Sequence, residues 1–474
     1  MSSSPVSVVI LAAGLGTRMR SRLAKVLHRA GGECLLQHVI DAACEIAAPE
    51  RIVAVVGHQA ERVRIEVESS GVRFALQTEQ KGTGHALGVC AGVEGLEAGR
   101  IVVLYGDCPL LRPETLRQLL GRHEESACAA TLITTHLDDP TGYGRVIRDS
   151  GRDHGRGRDE AGHVISIIEE KAASEEQKQI REINSGLYCF EAALLWKHLA
   201  ALQPNPASGE IYLTDIVAAL RASGHATAAC VVDDASEILG INTRVELAEA
   251  DRILRQRKAR ELMLAGVTIA RPETVTIDMH VVAGADTIVG PFTHLLGNTR
   301  IGAECRIGAG AILRNAVIGD EAEVLPYSLI DDSTLEAGAR VGPFARLRMN
   351  AIVEAEACVG NFVELKNTRL GADSKAMHLA YLGDSVIGSN ANIGAGTITC
   401  NYDGVKKRQT HVGAGAFVGS NATLVAPVEI GAGSYVAAGS VITEAVPEDA
   451  LALGRSRQVV KHGWARKRRE RAAK

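Results

Sequence analysis

The residues best equipped for chemistry in this 474-residue chain fall into a few short clusters. The first is the glycine loop LAAGLGTRM, residues 11–19, entered directly from an apolar run. Gly14 and Gly16 let the backbone turn sharply and aim its N–H groups at an anion. The spacing departs from G-x-G-x-x-G, since Met19 stands in the third glycine's place behind Arg18. An arginine there favours a mobile, highly charged triphosphate over the pyrophosphate of a bound dinucleotide, and Lys25 adds a second cation. In QTEQKGTGHA, Gln77 falls at a strand end and Gly82 and Thr83 at a helix start, where a base edge can be read and backbone can come close. YGDCPL ends another apolar run with Asp107. A carboxylate beside a phosphate loop is a natural Mg²⁺ ligand, because that ion takes oxygen donors and substrate phosphates together. The same aspartate could instead cap a helix. Far downstream, SKAMHLAYLGD carries His378, and an imidazole is the side-chain type best suited to take a proton from an amine. A single histidine among 15 is more often structural or merely exposed. No Ser-His-Asp arrangement is apparent.

Two kinds of scaffold must position these clusters. From residue 5 to about 240, apolar runs (SVVILAA, RIVAVVG, VRFALQ, RIVVLYGD) alternate with helical stretches near 35–47, 58–69, 83–92 and 113–124. Such a βαβ series predicts a Rossmann-like α/β domain. Its mainly parallel sheet would be covered on both faces, with ligands at the carboxyl ends of the strands. The charged stretch 149–163 reads as an insertion between two strands. Residues 242–266 are good helix formers ending at Gly266, which predicts a connecting helix.

From Ile301 to Val441 the pattern changes to a period of six, as in IGAECR, IGAGAI, LEAGAR and VGPFAR. That period suits neither a helix nor plain strand alternation and marks a stacked repeat. Each hexad supplies one inward aliphatic on a short strand and a small residue at a corner. Polar segments 365–385 and 399–411 break the pattern, and function in a solenoid usually sits where loops leave the coils. The expected division is therefore 1–241, 242–266, 267–454 and a basic tail 455–474, which holds nine Lys or Arg residues and one acid.

Composition narrows the field. A net charge of −4 gives no reason to expect nucleic-acid or membrane binding, and the short basic tail reads as solvated. The ten cysteines show no C-x-x-C pair and read as reduced core residues. With no signal peptide and no apolar run long enough to span a bilayer, a cytoplasmic protein is expected. A solenoid without chemistry, acting as a scaffold, remains an alternative at this point.

In chain order, LAAGxGTRM, Lys25, QxxQxGTGHA, YGDxPL, GYGRV, IxEEK, EINSG and GINTR resemble the motifs of sugar-nucleotide pyrophosphorylases. The hexads resemble those of hexapeptide-repeat acyltransferases, whose all-β fold is a left-handed parallel β-helix. Together the two resemblances cover nearly the whole chain. They imply a bifunctional enzyme that acetylates glucosamine-1-phosphate from acetyl-CoA and then transfers UMP from UTP to the product, supplying UDP-N-acetylglucosamine for cell-wall precursors.

Position by position, the resemblance implies that Leu11, Ala12, Ala13, Gly14 and Lys25 hold the nucleotide, with Gln77, Gly82 and Thr83 around uracil. Tyr105, Gly144, Glu169, Asn184 and Asn242 would line the sugar-phosphate site, and Asp107 and Asn242 would hold Mg²⁺. Arg18 and Lys25 would neutralise triphosphate charge. In the solenoid it implies His378 as base, Arg348 and Lys366 on the acceptor phosphate, and Tyr381 and Asn392 on the sugar. Ala395, Asn401, Tyr402, Ser420, Ala438 and Arg455 would meet acetyl-CoA. A homotrimer is implied as well. The chain departs from the usual motifs at Leu15, Ala24 and Met377. A pyrophosphorylase with a regulatory, non-acetylating solenoid is the nearest rival, which His378, Lys366 and Tyr381 argue against.

Overall fold

The computed structural model describes residues 4–149, 163–206 and 208–473. The stretch expected to form an insertion at 149–163 lies outside the described residues except for its two ends, where the Asp149 N–H donates to the His163 carbonyl. Residues up to Leu254 form one compact unit and those from Arg255 a second.

In the first unit a nine-stranded sheet has the order Thr227–Val231, Ala130–His136, Glu182–Glu191, Arg100–Tyr105, Val6–Ala12, Ile52–Val56, Arg73–Leu76, with Arg145–Arg148 and Val164–Ile168 branching from it. The four apolar runs read as strands are parallel neighbours. Val8, Val9 and Ile10 are fully buried, as expected for a strand covered on both faces. Two strands break the parallel order: Glu182–Glu191 runs antiparallel to its neighbours and slips register between Asn184 and Tyr188, and the branch strand Val164–Ile168 pairs antiparallel with Arg145–Arg148. That slip falls at one of the expected site residues. Helices Leu35–Cys44, Ala60–Glu66, Thr83–Gly88 and Pro113–Ser126 follow the expected stretches.

The helix Arg244–Leu264 carries the chain out of the sheet. Thr243 and Glu246 form a capping box, each side chain accepting the other's backbone N–H. The Glu246 carboxylate also takes the N–H of Asn242 and so fixes that residue's backbone.

The second unit is a solenoid of three parallel sheets with 11, 10 and 9 short strands, in which every third strand pairs. Arg300 pairs with Val317 and Ile288 with Arg306, so one coil takes 17 or 18 residues. Three hexads thus make one coil. Ile307, Val324, Val341, Val359, Ala376, Ile393, Val418 and Val436 stack as one buried ladder. Buried hydroxyls of Thr293 and Ser374 donate to the carbonyls of Gly290 and Gly388, which lets polar residues sit at corners without an orphaned group.

One expectation needs correcting. Segment 365–385 does not leave the coils, because Glu364, Arg369 and Lys375 pair with Tyr381, Val386 and Asn392 at the ordinary step. Only the hexad signature is lost there, since buried Thr368 and the Lys366–Asp384 pair replace small apolar residues. The later segment does leave: Ser385 pairs with Thr410, and Tyr402 bridges Lys407 across a small hairpin. The cysteines are free thiols, but Cys44 is exposed and so not a core residue. The basic tail contains an exposed helix, Trp464–Ala472. No helix among the described residues is long and apolar enough to cross a membrane.

Candidate functional sites

At the carboxyl ends of the parallel strands a cleft of about 470 Å³ is lined by residues 11–17, Lys25, Gln77, Gln80, Gly82, Thr83, Tyr105, Asp107, Glu210 and Tyr212, among others. Its two loop glycines differ in purpose. A Cβ on Gly16, at φ +62°, would come within 2.6 Å of the Lys25 Cβ, so Gly16 lets the lysine segment close on the loop. A Cβ on Gly14 would meet nothing within 4 Å, which leaves that backbone open to a ligand. Leu15 is 54% exposed at the lining of the cleft. Ala24 keeps a proline-like φ of −55° and donates its N–H to Gln59.

Four side chains converge on one edge of this cleft. Lys25 forms a close ion pair with Asp107 and reaches the Asn242 Oδ1 at 3.2 Å, while Arg18 donates to the same oxygen at 2.7 Å. These residues come from three distant stretches and make a dense patch of two cations and two oxygen donors. The hard oxygens of Asp107 and Asn242, already gathered around a cation, are donors of the type that would suit a divalent metal.

Behind the cleft, the Tyr105 phenol is pushed far up by burial and by the Asp107 charge, and it bonds Thr83. Gly186, at φ +81°, lies so close that a Cβ would meet the Tyr105 ring at 2.3 Å. The Asn184 N–H donates to the Gly144 carbonyl, and the Asn184 amide donates to the Tyr188 hydroxyl. Burial, with a smaller push from Asp215, raises the Glu169 carboxyl, opposed by a hydrogen bond from Thr214. These residues form one polar wall. Gln77 is buried and its amide reaches the Gly82 carbonyl and His85.

The strap Glu210–Leu213 was not anticipated. Gly84 donates to the Ile211 carbonyl, and a Cβ on Gly82 would come within 2.5 Å of that same oxygen. The close approach at Gly82 therefore serves the chain's own strap as much as a ligand. Nothing in the spacing of GEIYLTD signals that contact.

In the solenoid, His378 is exposed and its Nδ1 lies 2.9 Å from the Asn361 Oδ1. Lys366 is only 4% exposed and pairs with Asp384 at 2.7 Å. Burial alone would raise the Asp384 carboxyl, but hydrogen bonds from Lys366, Asn367 and Asn401 hold it below the usual carboxylate range. Arg348, one coil away in register, pairs with Glu364 at 2.8 Å. Lys407, on the hairpin, is depressed chiefly by its contact with Lys366 and also by Arg348, which marks it as a third cation of the group. Sequence reasoning missed Lys407, because only the hairpin's return brings it there. The Tyr381 hydroxyl and the Asn401 amide both crowd Gly383, where a Cβ would lie 2.5 and 2.8 Å from them. Asn392, half-buried, is in register with Lys375 on the strand that ends at His378.

Ala395, Ser420 and Ala438 occupy the same corner on successive coils, linked through Asn421 to Ala395 and Gly439 to Ser420 backbone bonds. The Arg455 side chain follows beside Gly439. Asn401 is buried with Asp384 and so sits in the Lys366 network, apart from that corner. Tyr402 is exposed on the hairpin.

Comparisons with known proteins agree with this division. A MobA-like NTP transferase domain model matches residues 8–177, and a bacterial transferase hexapeptide model matches 280–315 and 409–444. The bifunctional protein GlmU of Solibacter usitatus is 56% identical over 467 residues, 98% of each chain. Its namesake in Koribacter versatilis is 48% identical over 98% of this chain and 97% of its own. The Pelobacter propionicus protein of that name is 45% identical over 97% and 98%. Identity of that order along nearly the full length of both units means that the chain belongs to the bifunctional GlmU family.

Proposed function

We propose that the chain carries two transferase activities on separate units. The solenoid acetylates glucosamine-1-phosphate from acetyl-CoA, and the sheet unit joins N-acetylglucosamine-1-phosphate to UMP from UTP, releasing pyrophosphate. The observation that carries this reading is that residues from distant motifs gather into two constellations of different chemistry, cations with oxygen donors in one and an exposed imidazole with cations in the other.

In the first reaction the sugar amine attacks the thioester carbon, forming a C–N bond as the C–S bond breaks. His378 takes the amine proton, and the leaving thiolate is protonated in turn. Arg348, Lys366 and Lys407 would hold the sugar phosphate, with Tyr381 and Asn392 on its hydroxyls. Arg348 and Lys366 are already paired with carboxylates, so their field on the phosphate is tempered. Ala395, Ser420 and Ala438 give a smooth path for a pantetheine arm, with Arg455 near its end.

In the second reaction a phosphate oxygen of the sugar attacks the α-phosphorus in line, and pyrophosphate leaves. Such transfer depends on positioning and charge neutralisation rather than a protein nucleophile. The loop backbone at Gly14, with Arg18 and Lys25, would bind the triphosphate, and Gln77, Gly82 and Thr83 the uracil. Gly144, Glu169 and Asn184 would orient the sugar against Tyr105. Mg²⁺, held by Asp107 and Asn242, would neutralise charge on the phosphates.

A homotrimer is part of the reading. Tyr327, Phe344 and Phe362 stack at 5.3 and 5.5 Å along one corner of the solenoid, with Phe292 and Leu379 exposed in the same column. An apolar stripe of that kind supports association with further copies.

Two substitutions test the division. His378→Ala should reduce acetyl transfer by at least 100-fold and leave uridylyl transfer within twofold of the parent, both roughly. Asp107→Ala should do the reverse. Parallel loss of both activities in either variant would overturn the assignment.

A further inference from the structure

The two longest strands of the solenoid are adjacent, Cys358–Asn361 and Lys375–His378, four residues each where the other described strands of that unit have two or three. Their pairing runs on to put Asn361 in register with His378. Gly360 permits this, because a Cβ there would come within 1.9 Å of the Met377 carbonyl oxygen. The backbone is closed on the other side as well: Leu379 donates to the Asn361 carbonyl, and Gly396 to that of His378. Both side chains therefore rise from a continuous, hydrogen-bonded ladder. The Asn361 Oδ1 meets the His378 Nδ1 at 2.9 Å.

An amide oxygen can only accept, so a neutral imidazole facing it carries its proton on Nδ1. The lone pair is then on Nε2, which has no partner among the described residues. We infer that Asn361 is a positioning residue for acetyl transfer: it locks His378 in the Nδ1–H tautomer, so that Nε2 is the proton acceptor. This inference rests on the reading of His378 as the base and adds how that base is set.

The choice of an amide matters. A carboxylate at this position would fix the same tautomer but would also favour the protonated ring, keeping part of the base charged near neutrality. Asn361 orients without that cost. Titratable groups on the packed strands are Lys375 in the strand of His378 and Cys358 in the strand before it, while Asn392–Ile393, the strand after, has none. Arg340 lines the same hollow as His378.

The test uses the full-length protein labelled with ¹⁵N-histidine, with the His378→Ala spectrum to identify the signal. At a pH where the ring is neutral, His378 should show a protonated Nδ1 and an unprotonated Nε2, and Asn361→Ala should shift the ring toward Nε2–H. In the same variants, Asn361→Ala should lose acetyl transfer roughly 10- to 100-fold while uridylyl transfer holds. Asn361→Asp should recover much of the loss, and the acid limb of its kcat/KM profile should move up by about one unit or more.

A parent spectrum showing Nε2–H, or an Asn361→Asp profile that coincides with the parent's, would overturn the inference. Should Asn361→Ala fail to fold, seen as loss of the solenoid's cooperative unfolding transition, the parent's tautomer still decides. Retained acetyl transfer in His378→Ala would instead defeat the underlying assignment of the base, a result distinct from a wrong tautomer.

Discussion

Among individual residues, those legible from sequence were the ones whose chemical type is its own argument. Lys25, Arg18 and Asp107 were read that way, and Asn242, which only the family resemblance implied, meets them in a cation and oxygen-donor cluster drawn from three separate stretches. Asn361 and Lys407 were not legible, because each becomes a neighbour of a site residue only through coil stacking or the hairpin's return. Met377 poses a different question. It stands where related motifs often have glycine, yet its φ is not in the left-handed region and its side chain is only 38% exposed beside Phe344 and Phe362. Nothing in its backbone requires glycine. Met377→Gly is expected to lower stability by about 1 kcal/mol through added backbone freedom and lost packing, with acetyl transfer staying within a few-fold. Thermal unfolding together with the thiol-release rate checks this, and a tenfold gain in acetyl transfer would show that Met377 crowds His378.

At the scale of elements, periodicity located the coils but misjudged 365–385. A six-residue signature reports small apolar corners, whereas the ladder needs only that each inward group be satisfied. Here Thr368 bonds two carbonyls, and Lys366, Asn367 and Asn401 surround Asp384, so the coil closes without the signature. That network should be costly to break. Lys366→Met would strand a buried carboxylate and destabilise the solenoid by roughly 3–5 kcal/mol, while Arg348→Met, at a half-exposed pair, should cost less than about 1 kcal/mol. Denaturant titration of the two variants tests the order, and equal losses would refute it.

The sign of the pH effect follows from the depressed Asp384. Its folded value lies below the unfolded one, so its contribution is present above the ordinary carboxylate range and lost as pH falls through the folded value. Without Lys366, burial would raise that carboxyl, and the loss should begin at higher pH.

For the whole molecule, the alternation of strands and helices and the shift to a hexad period made both fold classes readable. They could not show that two sheet strands, Val164–Ile168 and Glu182–Glu191, run against the rest, since buried strands of either direction carry similar apolar residues. The division into two units assigns consecutive reactions to separate sites, with the product of the solenoid serving as substrate for the sheet unit. That order is the central claim. It is tested most directly by supplying the full chain with acetyl-CoA, UTP, Mg²⁺ and glucosamine-1-phosphate while following free thiol and pyrophosphate separately. Both should appear, pyrophosphate after a lag behind thiol. Pyrophosphate formed only from pre-acetylated sugar phosphate, with no thiol released from the unacetylated sugar, would contradict the account and leave the solenoid without its chemistry.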